Sequence, residues 1–270
     1  MGGRNLAATL CSVLLGGCAG AQYLLPDITA AEIDRAALTV AGDTSSLPTF
    51  HRTGAEYGRL VDTVSNRLRL GVPALCRHAG FATCFFDVSY VADDTVNAYA
   101  AGSNEIVIYR GILRYLETED EVAAVIAHEI GHHLARHVEE QQRNAALGGL
   151  VAAILTGGLM AGTGYQAPPN DPYAGQQVVR DAAQLGAGIG AISFSKEQER
   201  EADLLAAYLL ARSGYDLRRA GHAFTVLAKM SGKTRSTIFD THPAGPERIA
   251  AWEKAVAEVE ASRDLLPKAE

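Results

Sequence analysis

Two histidines four residues apart, with a glutamate directly after the first, are the residues of this chain best suited to chemistry. They are His128, Glu129 and His132, in the stretch His-Glu-Ile-Gly-His. Residues four apart on an α-helix lie about 40° apart around its axis, so both imidazoles can point at one metal ion. Glu129 projects about 100° from His128 and can reach a water in the open coordination position of the metal. The pattern predicts a metal-assisted hydrolase with one zinc ion per chain.

The residues around this motif predict the helix that must carry it. The acid-rich segment Leu116 to Glu121, with Thr118 as N-cap, gives the helix start. Apolar residues then follow at helical spacing, namely Val122, Val125, Ile126, Ile130 and Leu134. Histidine and glutamate are costly to bury without partners, and metal ligation supplies partners. The alternative is an amphipathic helix with an ordinary polar face, and the expected burial favours the metal.

The composition is that of an ordinary globular protein with a negative charge. Of the 270 residues, 48% are hydrophobic and 20% are charged, and the formal net charge is −7. This length allows one substantial domain or two small ones. The negative charge and the lack of a basic stripe argue against nucleic acid as a partner. No glycine-rich stretch has the Gly-Lys-Ser/Thr ending of a phosphate-binding loop.

The first residues resemble a bacterial lipoprotein signal peptide. The short apolar run Leu6 to Leu15 is followed by a Leu-Gly-Gly-Cys stretch, in which cleavage would leave Cys18 as a lipid-modified first residue. The expected division is a signal peptide at 1–17, a lipidated N-terminus and tether at 18–50, and a folded domain at 51–265. Ala19 is not the aspartate that resembles an inner-membrane retention signal, which predicts anchoring to the outer membrane, facing the periplasm. The alternatives are a signal peptide with an incidental cysteine, or a buried helix.

Two ordinary cysteines, Cys76 and Cys84, would remain in the mature protein. They are close in sequence and in an oxidising compartment, which favours a disulfide. A bridge closing that short loop would add about 2.6 kcal/mol in the chain-entropy model, less any strain. Two free buried thiols are the alternative.

Helices and a small sheet are predicted on the amino-terminal side of the motif. An amphipathic helix over His51 to Leu70 should end at Gly71-Val72-Pro73 and pack behind the motif helix. Strands are predicted at Phe85 to Val91, Asn97 to Ala100 and Glu105 to Tyr109. A strand beside the site could pair with an extended substrate through main-chain hydrogen bonds. A purely structural hairpin is the alternative, and the sequence leaves both open.

Residues 145–192 are rich in alanine and glycine and predict two helices joined by a polar loop. The apolar run Leu147 to Gly162 is shorter than the roughly 20 residues that a spanning helix needs. We expect either a lid over the site or a hairpin that faces the membrane surface. Two close-packed core helices are the alternative, since small residues permit close approach. The sequence favours packing against protein over insertion into a membrane.

A two-histidine site needs a third protein ligand, and a second helix offers several carboxylates. This helix begins after the N-cap Ser195 and continues to Gly214. Its candidates share two faces, Glu199 with Asp203 and Glu197 with Glu201. A solvated acidic helix start that complements the helix dipole is the alternative for such a run. Spacing alone does not choose between the pairs.

Three ordered motifs resemble one family of zinc peptidases. They are the His-Glu-Ile-Gly-His stretch, the Glu199-Arg200-Glu201-Ala202-Asp203 stretch, and Thr241-His242-Pro243 followed by Arg248. Together they resemble the gluzincin family that includes the CAAX prenyl protease and the HtpX heat-shock protease, with a closer likeness to its soluble Oma-, BepA- and LoiP-type branch. The resemblance covers about Tyr57 to Ala251. It implies an α+β, mostly helical, zincin-like metallopeptidase domain with an active-site helix and a small β-sheet.

The resemblance also implies roles for individual residues. Glu199 becomes the third zinc ligand beside His128 and His132, and Asp203 an acceptor that orients a zinc-bound histidine. His242 would approach the metal and either stabilise the oxyanion or cap the resting site; the alternative is a surface histidine. Arg248 would be a structural charge partner. The residues expected to have no direct role are Glu201, His133, His137, His78 and His222.

The expected activity is zinc-dependent endopeptidase cleavage of misfolded or unassembled envelope proteins, with Glu129 as the general base. The sequence shows no clear transmembrane helix, unlike HtpX and the prenyl protease, so an intramembrane prenylated substrate is not expected. Two non-proteolytic interpretations remain open. One is a lipoprotein chaperone or assembly factor with a structural metal site, which would have four protein ligands. The other is a latent protease whose site is held closed by the 145–192 region and His242.

Overall fold

The computed structural model of this chain describes most of the residues that follow the predicted signal peptide. The described residues are 21–44, 46–47, 49–82, 84–166, 168, 171, 173–190, 193–231, 242 and 244–270. The signal peptide and Cys18, together with Thr241 and Pro243, lie outside them.

The described elements are mostly helical. In chain order the helices are α1 (Ala30–Gly42), α2 (Gly54–Leu68), α3 (Val72–His78), α4 (Arg110–Leu113), α5 (Glu119–Leu134), α6 (His137–Thr163), α7 (Ala174–Gly190), α8 (Lys196–Arg212), α9 (Leu217–Ala220), α10 (His222–Ser231) and α11 (Pro246–Ala261). The strands are β1 (Asp87–Val91), β2 (Ala98–Ala101) and β3 (Glu105–Tyr109). The mostly helical α+β class expected from the sequence is confirmed.

Local side-chain chemistry fixes the starts of the two helices that matter most for the site. Thr118 caps α5, and its side chain and that of Glu121 exchange hydrogen bonds with each other's backbone N–H. Ser195 and Gln198 form the same capping box at the start of α8. Each box satisfies backbone N–H groups that an uncapped helix end leaves without partners. Both N-caps predicted from the sequence are confirmed.

The sheet has the strand order β1-β3-β2. β2 and β3 form an antiparallel hairpin, whereas β1 pairs with β3 in parallel. Ile106 and Ile108 of the central strand β3 are fully buried, and the sheet packs against α5 through β2 and β3. The hairpin was expected from alternation of residue types. The parallel pairing was not, because it joins segments separated in sequence by the whole of β2.

Helix α5 lies at the centre of the domain, with α2 on one side and α8 on the other. A Cβ atom at Gly131 would lie 2.6 Å from the backbone oxygen of Ala202. The backbones of α5 and α8 therefore nearly touch, which requires glycine on one helix and a small residue on the other. This close approach brings the histidines of α5 next to the carboxylates of α8. The expected packing of α2 against α5 is also present.

Part of the segment expected to be a tether is folded onto the domain. Leu24 N–H donates to the Lys268 oxygen at 2.9 Å, and Glu270 N–H donates to the Gln22 oxygen at 3.1 Å. The Tyr23 side chain is 4% exposed and stacks on His78. Helix α1 packs against α11. The sequence predicted a tether with at most one short helix for 18–50; the structure has the helix α1 there, and Tyr23 and the pairing with the C-terminal segment add burial that the few large apolar residues of this stretch did not indicate.

Helices α6 and α7 form a long hairpin, called here the α6–α7 hairpin, that packs mainly on itself. Of the described helices, α6 is long and apolar enough to cross a membrane, yet only 6% of its most apolar 18-residue stretch is buried. The interpretation as close-packed core helices was therefore wrong, as was the expectation of no helix of spanning length. The apolar run in the sequence begins at Leu147, but the helix that contains it begins at His137 and is therefore longer than the run.

A disulfide joins Cys76, in α3, to Cys84, just before β1. Cys76 is buried in the hydrophobic core and Cys84 packs against it. The bridge therefore connects the end of α3 to the chain that enters the sheet.

Candidate metal centre

Four buried side chains from three parts of the chain meet at one point beside α5. They are His128 and His132 of α5, Glu199 of α8, and His242. One ligand atom from each lies within 4.8 Å of the others. The close contact of α5 with α8 supplies three of the four, and His242 approaches from the segment before α11. The structure thus brings together the three residues expected as ligands and the histidine expected to approach the metal.

The spacing of the ligand atoms fits a small metal ion. The two Nε2 atoms of His128 and His132 are 3.0 Å apart, and His132 Nε2 is 3.4 Å from Glu199 Oε1. His242 Nδ1 lies 3.3 Å from His128 Nε2 and 2.9 Å from Glu199 Oε1. Tetrahedral ligands with bonds of about 2.0–2.1 Å lie roughly 3.3 Å from one another. Three imidazole nitrogens and one carboxylate oxygen also form a donor set that suits zinc.

His128 is held by a carboxylate and an arginine on its far side. Its Nδ1 lies 2.8 Å from Asp203 Oδ1, so this imidazole donates there and keeps Nε2 free for the metal. Arg248 of α11 grips the same carboxylate through two hydrogen bonds of 2.9 and 2.7 Å. The Nη1 atom of Arg248 is also 2.7 Å from Glu199 Oε2. Asp203 and Arg248 thus contact the residues predicted to bind the metal, and their roles remain predictions.

The electrostatics of this cluster are those of ionised carboxylates among buried cations. Although burial opposes it, the positive charge of Arg248, followed by His242 and His128, holds the pKa of Glu199 well below its usual range. Burial and Arg248 disfavour protonation of His128, but the Asp203 and Glu199 charges outweigh them and raise the pKa of its imidazole to about 9. Burial, aided by neighbouring positive charge, lowers the pKa of His132 well below its ordinary value. A site rich in negative charge attracts a cation.

Glu129 points toward the cluster without belonging to it. Its side chain is 1% exposed, and its Oε2 atom has no hydrogen-bond partner among the described residues. Its Oε1 atom lies 3.8 Å from His242 Nε2, which is also without a hydrogen-bond partner there. Buried polar atoms of this kind are costly unless a ligand or water completes them. A cavity of about 20 Å³ adjoins both side chains, which is enough room for one water molecule.

The apolar wall of this cavity comes mainly from α10. The cavity is lined there by Ala223, Phe224 and Leu227, and on α5 by Ala124 and Val125. The space next to Glu129 is therefore bounded on one side by apolar side chains. Sequence reasoning did not assign α10 to the site, because its residues carry no chemical signature.

His132 is held differently from His128. Its Nδ1 atom lies 3.0 Å from Nδ1 of His137, the first residue of α6. His137 Nε2 in turn lies 2.9 Å from Glu201 Oε2, and both residues are almost completely buried. The ring of Phe194 stacks on His132 at a centroid distance of 3.8 Å. Sequence reasoning assigned neither His137 nor Glu201 a role.

No local sequence pattern predicts the contact between His132 and His137. His137 is five residues beyond His132, which does not put both on one face of a continuous helix. Arg136 adopts a left-handed conformation with φ 59°, and this break turns His137 back toward His132. Arginine rarely adopts such a conformation, so no residue type at this position predicts the turn.

The remaining titratable residues near the motifs lie away from the ligand atoms. Glu197 is exposed. His133 Nε2 lies 3.2 Å from the Glu105 backbone oxygen, and its ring contacts Phe86. His222 was expected to have no partner, but its Nδ1 lies 2.5 Å from Glu121 Oε1, which is the residue that completes the cap of α5.

Comparison with known proteins places this arrangement in a family. The family model described as Peptidase family M48 matches residues 64–256, which include every residue of the cluster. The chain belongs to peptidase family M48. The resemblance drawn from the three motifs is therefore confirmed.

Individual relatives cover different shares of this M48 chain. The beta-barrel assembly-enhancing protease of Escherichia coli O157:H7 is 29% identical over 92% of this chain and 51% of its own length. Metalloprotease LoiP of Escherichia coli K12 is 31% identical over 75% of this chain and 72% of its own length. The mitochondrial metalloendopeptidase OMA1 of Arabidopsis thaliana is 31% identical over 60% of this chain and 30% of its own length. The chain spans about half the length of the assembly-enhancing proteases that it matches.

Proposed function

We propose that this M48 chain is a zinc-dependent endopeptidase of the bacterial cell envelope that degrades misfolded or unassembled envelope proteins. The observation that supports it is the buried carboxylate of Glu129, whose Oε2 atom has no hydrogen-bond partner among the described residues, beside a preformed set of metal ligands. A purely structural metal site has no use for such a group. The envelope location draws on relatives that are named beta-barrel assembly-enhancing protease and metalloprotease LoiP.

Each residue of the site has a distinct task in this proposal. His128, His132 and Glu199 would hold one zinc ion, which supplies Lewis acidity to a peptide carbonyl and activates water. Glu129 takes a proton at its carboxylate during attack and later delivers it to the leaving amine. Asp203 fixes the His128 ring, and Arg248 balances the charges of Asp203 and Glu199.

His242 distinguishes a resting site from a working one. Its Nδ1 atom occupies the fourth position of the ligand set, where a catalytic zinc site keeps a place for water or substrate. We therefore assign the described conformation to a resting state, in which His242 would be the fourth residue that holds the metal. In the working state this histidine would move away from that position and donate to the oxygen that becomes negative during peptide attack.

The substrate would bind as an extended chain. β2 is an edge strand of the sheet and packs on α5, the helix that carries Glu129. An added strand would pair with its backbone and gain affinity with little dependence on sequence. The cavity beside Glu129 has room for a group about the size of one water molecule, so it would take a methyl-sized side chain at most and set a modest preference for alanine.

The membrane is the second partner in the proposal, through Cys18 and the α6–α7 hairpin. Cys18 is four residues before Gln22, a span of at most about 14 Å, and Gln22 Nε2 donates to the Ala135 oxygen at 2.7 Å. Ala135 lies two residues before α6, so a lipid on Cys18 would hold the base of the hairpin close to the bilayer. The exposed apolar face of α6 would then lie in the interface rather than over the site. Orientation toward the periplasm from the outer membrane is part of the same proposal.

The deciding experiment is degradation of casein by the protein from Ala19 onward, comparing wild type with Glu129→Gln and measuring zinc content in both. We expect one zinc per chain in each and a loss of activity of about 10²–10⁴-fold in the variant. Glu197→Gln is the matched control, because Glu197 is an exposed carboxylate in the first turn of α8, the helix that carries Glu199. This variant should retain full activity. Equal activity of Glu129→Gln and wild type would contradict the proposed mechanism.

A latent protease or a chaperone with a structural metal is the second candidate, and the position of His242 favours it. If wild type binds zinc but does not cleave casein, His242→Ala separates the two. Activity gained by this variant indicates a latent protease. Continued inactivity, together with suppression of casein aggregation, indicates a chaperone.

A further inference from the structure

We propose that His137 and Glu201 are positioning residues that fix the metal-binding ring of His132, and that they link the docked N-terminal segment at Gln22 and Tyr23 to metal affinity. The inference rests on the proposed metal site. It assigns functions to two residues that the sequence motifs leave without one.

The contacts form an unbroken path with a defined direction. His132 Nε2 faces the ligand cluster, so Nδ1 carries the proton and donates to His137 Nδ1 at 3.0 Å. With Nδ1 of His137 used as an acceptor, its Nε2–H donates to Glu201 Oε2 at 2.9 Å. The other oxygen of Glu201 accepts from the backbone N–H groups of Gln22 and Tyr23, the latter at 2.9 Å. Every polar atom on this path is paired.

The residues of this path are buried, so each polar atom needs a hydrogen-bond partner within the protein. His132 is fully buried, Glu201 is 1% exposed and His137 is 2% exposed. A carboxylate in such a place is retained only when charge-assisted hydrogen bonds replace its hydration. Two of the three hydrogen bonds to Glu201 come from backbone groups far away in the sequence. Detachment of the N-terminal segment would therefore leave a buried carboxylate with the His137 imidazole as its remaining partner on this path.

The two zinc-binding histidines thus depend on different parts of the chain. The partner of His128 is Asp203, which is hydrogen-bonded to Arg248 of α11, and α11 contributes residues to the hydrophobic core. The partner of His132 is an imidazole whose own partner is held by a short segment adjoining the predicted lipid anchor. The outer residues around metal-binding histidines typically contribute 10–100-fold to metal affinity. Docking of residues 22–23 and metal binding should consequently strengthen each other, because coupling between two sites is reciprocal.

The first test replaces His137 and measures zinc affinity by competition with a chelator, together with the visible spectrum of the cobalt(II)-substituted protein. His137→Phe keeps an aromatic ring at this position but removes both the acceptor for His132 and the donor to Glu201, and we expect a 10–100-fold weaker affinity and a changed cobalt spectrum. His133→Phe is the matched control, since His133 is also a buried histidine of this region but contacts no ligand residue. It should change the affinity by less than about threefold. Equal effects of the two variants would overturn the proposal.

The second test addresses Glu201. Glu201→Gln preserves size and an acceptor for the backbone N–H groups but lowers the negative charge that holds His137, and it should weaken zinc binding by more than about threefold. Glu121→Gln is its control, because Glu121 is an equally buried carboxylate with backbone donors at the far end of α5. Restoration by Glu201→Asp of part of the affinity would support positioning by charge. No difference between Glu201→Gln and Glu121→Gln would contradict it.

The third test isolates the N-terminal segment. Tyr23→Ala removes the side chain but keeps the backbone N–H, whereas Tyr23→Pro removes both. We expect Tyr23→Pro to bind zinc several-fold more weakly than Tyr23→Ala, and equal affinities would refute the link to residues 22–23. If the wild-type protein binds no zinc, the proposed metal site itself is contradicted. If the wild-type protein binds zinc and these variants bind it with the same affinity, only the positioning role of His137 and Glu201 is contradicted.

Discussion

Two consecutive helices of this protein have opposite distributions of polar and apolar side chains: α5 buries charged residues, and α6 exposes apolar ones. Helix α5 is almost entirely buried and holds acidic residues and three histidines inside the domain. Helix α6 starts three residues later and exposes large apolar side chains along most of its length. The exposed set on α6 is Leu147, Leu150, Ile154, Leu155 and Leu159.

Each anomaly implies a missing partner of a different kind. Buried charges in α5 are balanced by Arg248 and by one another, and their geometry leaves a position for a cation. The exposed leucines of α6 lie on a helix that packs, among the described residues, mainly against α7, and an exposed apolar surface of this kind normally marks a contact with protein or lipid. The described residues therefore account for α5 once a metal binds, whereas they do not cover the apolar face of α6.

The largest stability effect is expected from Arg248→Gln in the metal-free protein. It would remove the guanidinium that contacts the buried carboxylates of Asp203 and Glu199, and breaking a buried ion pair in this way costs about 3–5 kcal/mol in the free energy of unfolding. Urea unfolding measures it. Arg180→Gln is the control, because Arg180 is an exposed arginine of α7, and it should change the stability by less than about 0.5 kcal/mol. Similar losses in both would mean that Arg248 does not balance the buried carboxylates beside α5.

Removal of the metal should follow in size. A ligand that binds the folded state alone stabilises it by about 2.7 kcal/mol at a free concentration one hundred times its dissociation constant. Thermal unfolding with and without a chelator measures this difference in wild type and in His128→Ala. The variant should show almost no response to zinc. A full response in His128→Ala would mean that the stabilising zinc binds elsewhere.

A pair of glycine substitutions compares the two helices directly. Gly131→Ala places a Cβ atom against the backbone of Ala202 and should cost about 1–3 kcal/mol, because α5 and α8 must separate. Gly157→Ala in α6 meets no atom within 4 Å and should stabilise by about 0.5–1 kcal/mol through helix propensity. Urea unfolding of the two single variants gives both values. If both substitutions changed the free energy of unfolding in the same direction, the close backbone contact between α5 and α8 would not be what requires glycine at position 131.

The smallest effect on stability is expected on α6, with a large effect on membrane binding. Leu155 and Leu159 are each 68% exposed, so Leu155→Glu with Leu159→Glu should change the free energy of unfolding by less than about 0.5 kcal/mol. In the non-acylated protein the same change should reduce co-sedimentation with phosphatidylethanolamine and phosphatidylglycerol vesicles at least tenfold. Gln176→Glu with Gln184→Glu on α7 adds equal charge at exposed polar positions and should bind like wild type. Concentration-dependent self-association without vesicle binding would instead identify a second copy as the partner.

Local chemistry made a large part of this structure readable from the sequence. The capping residues Thr118 and Ser195, the strands around residues 87–109 and the helical spacing of His128, Glu129 and His132 each follow from interactions within a few residues. The family resemblance then supplied Glu199, Asp203, His242 and Arg248, and the structure brings all of them to the predicted point. Spacing alone had left Glu199 and Glu201 equivalent.

Other features were decided by contacts between segments that are far apart in the chain. The backbone contact of Gly131 with Ala202 determines which face of α8 meets the histidines, and so separates Glu199 from Glu201. The left-handed Arg136 turns His137 inward, and the docking of Tyr23 beside Glu201 folds a segment that looked like a tether. None of these has a local signature, because burial and hydrogen-bond partners at such positions come from the tertiary structure. The sequence by itself determined the chemistry of the site; the tertiary structure decided which residues hold that chemistry in place.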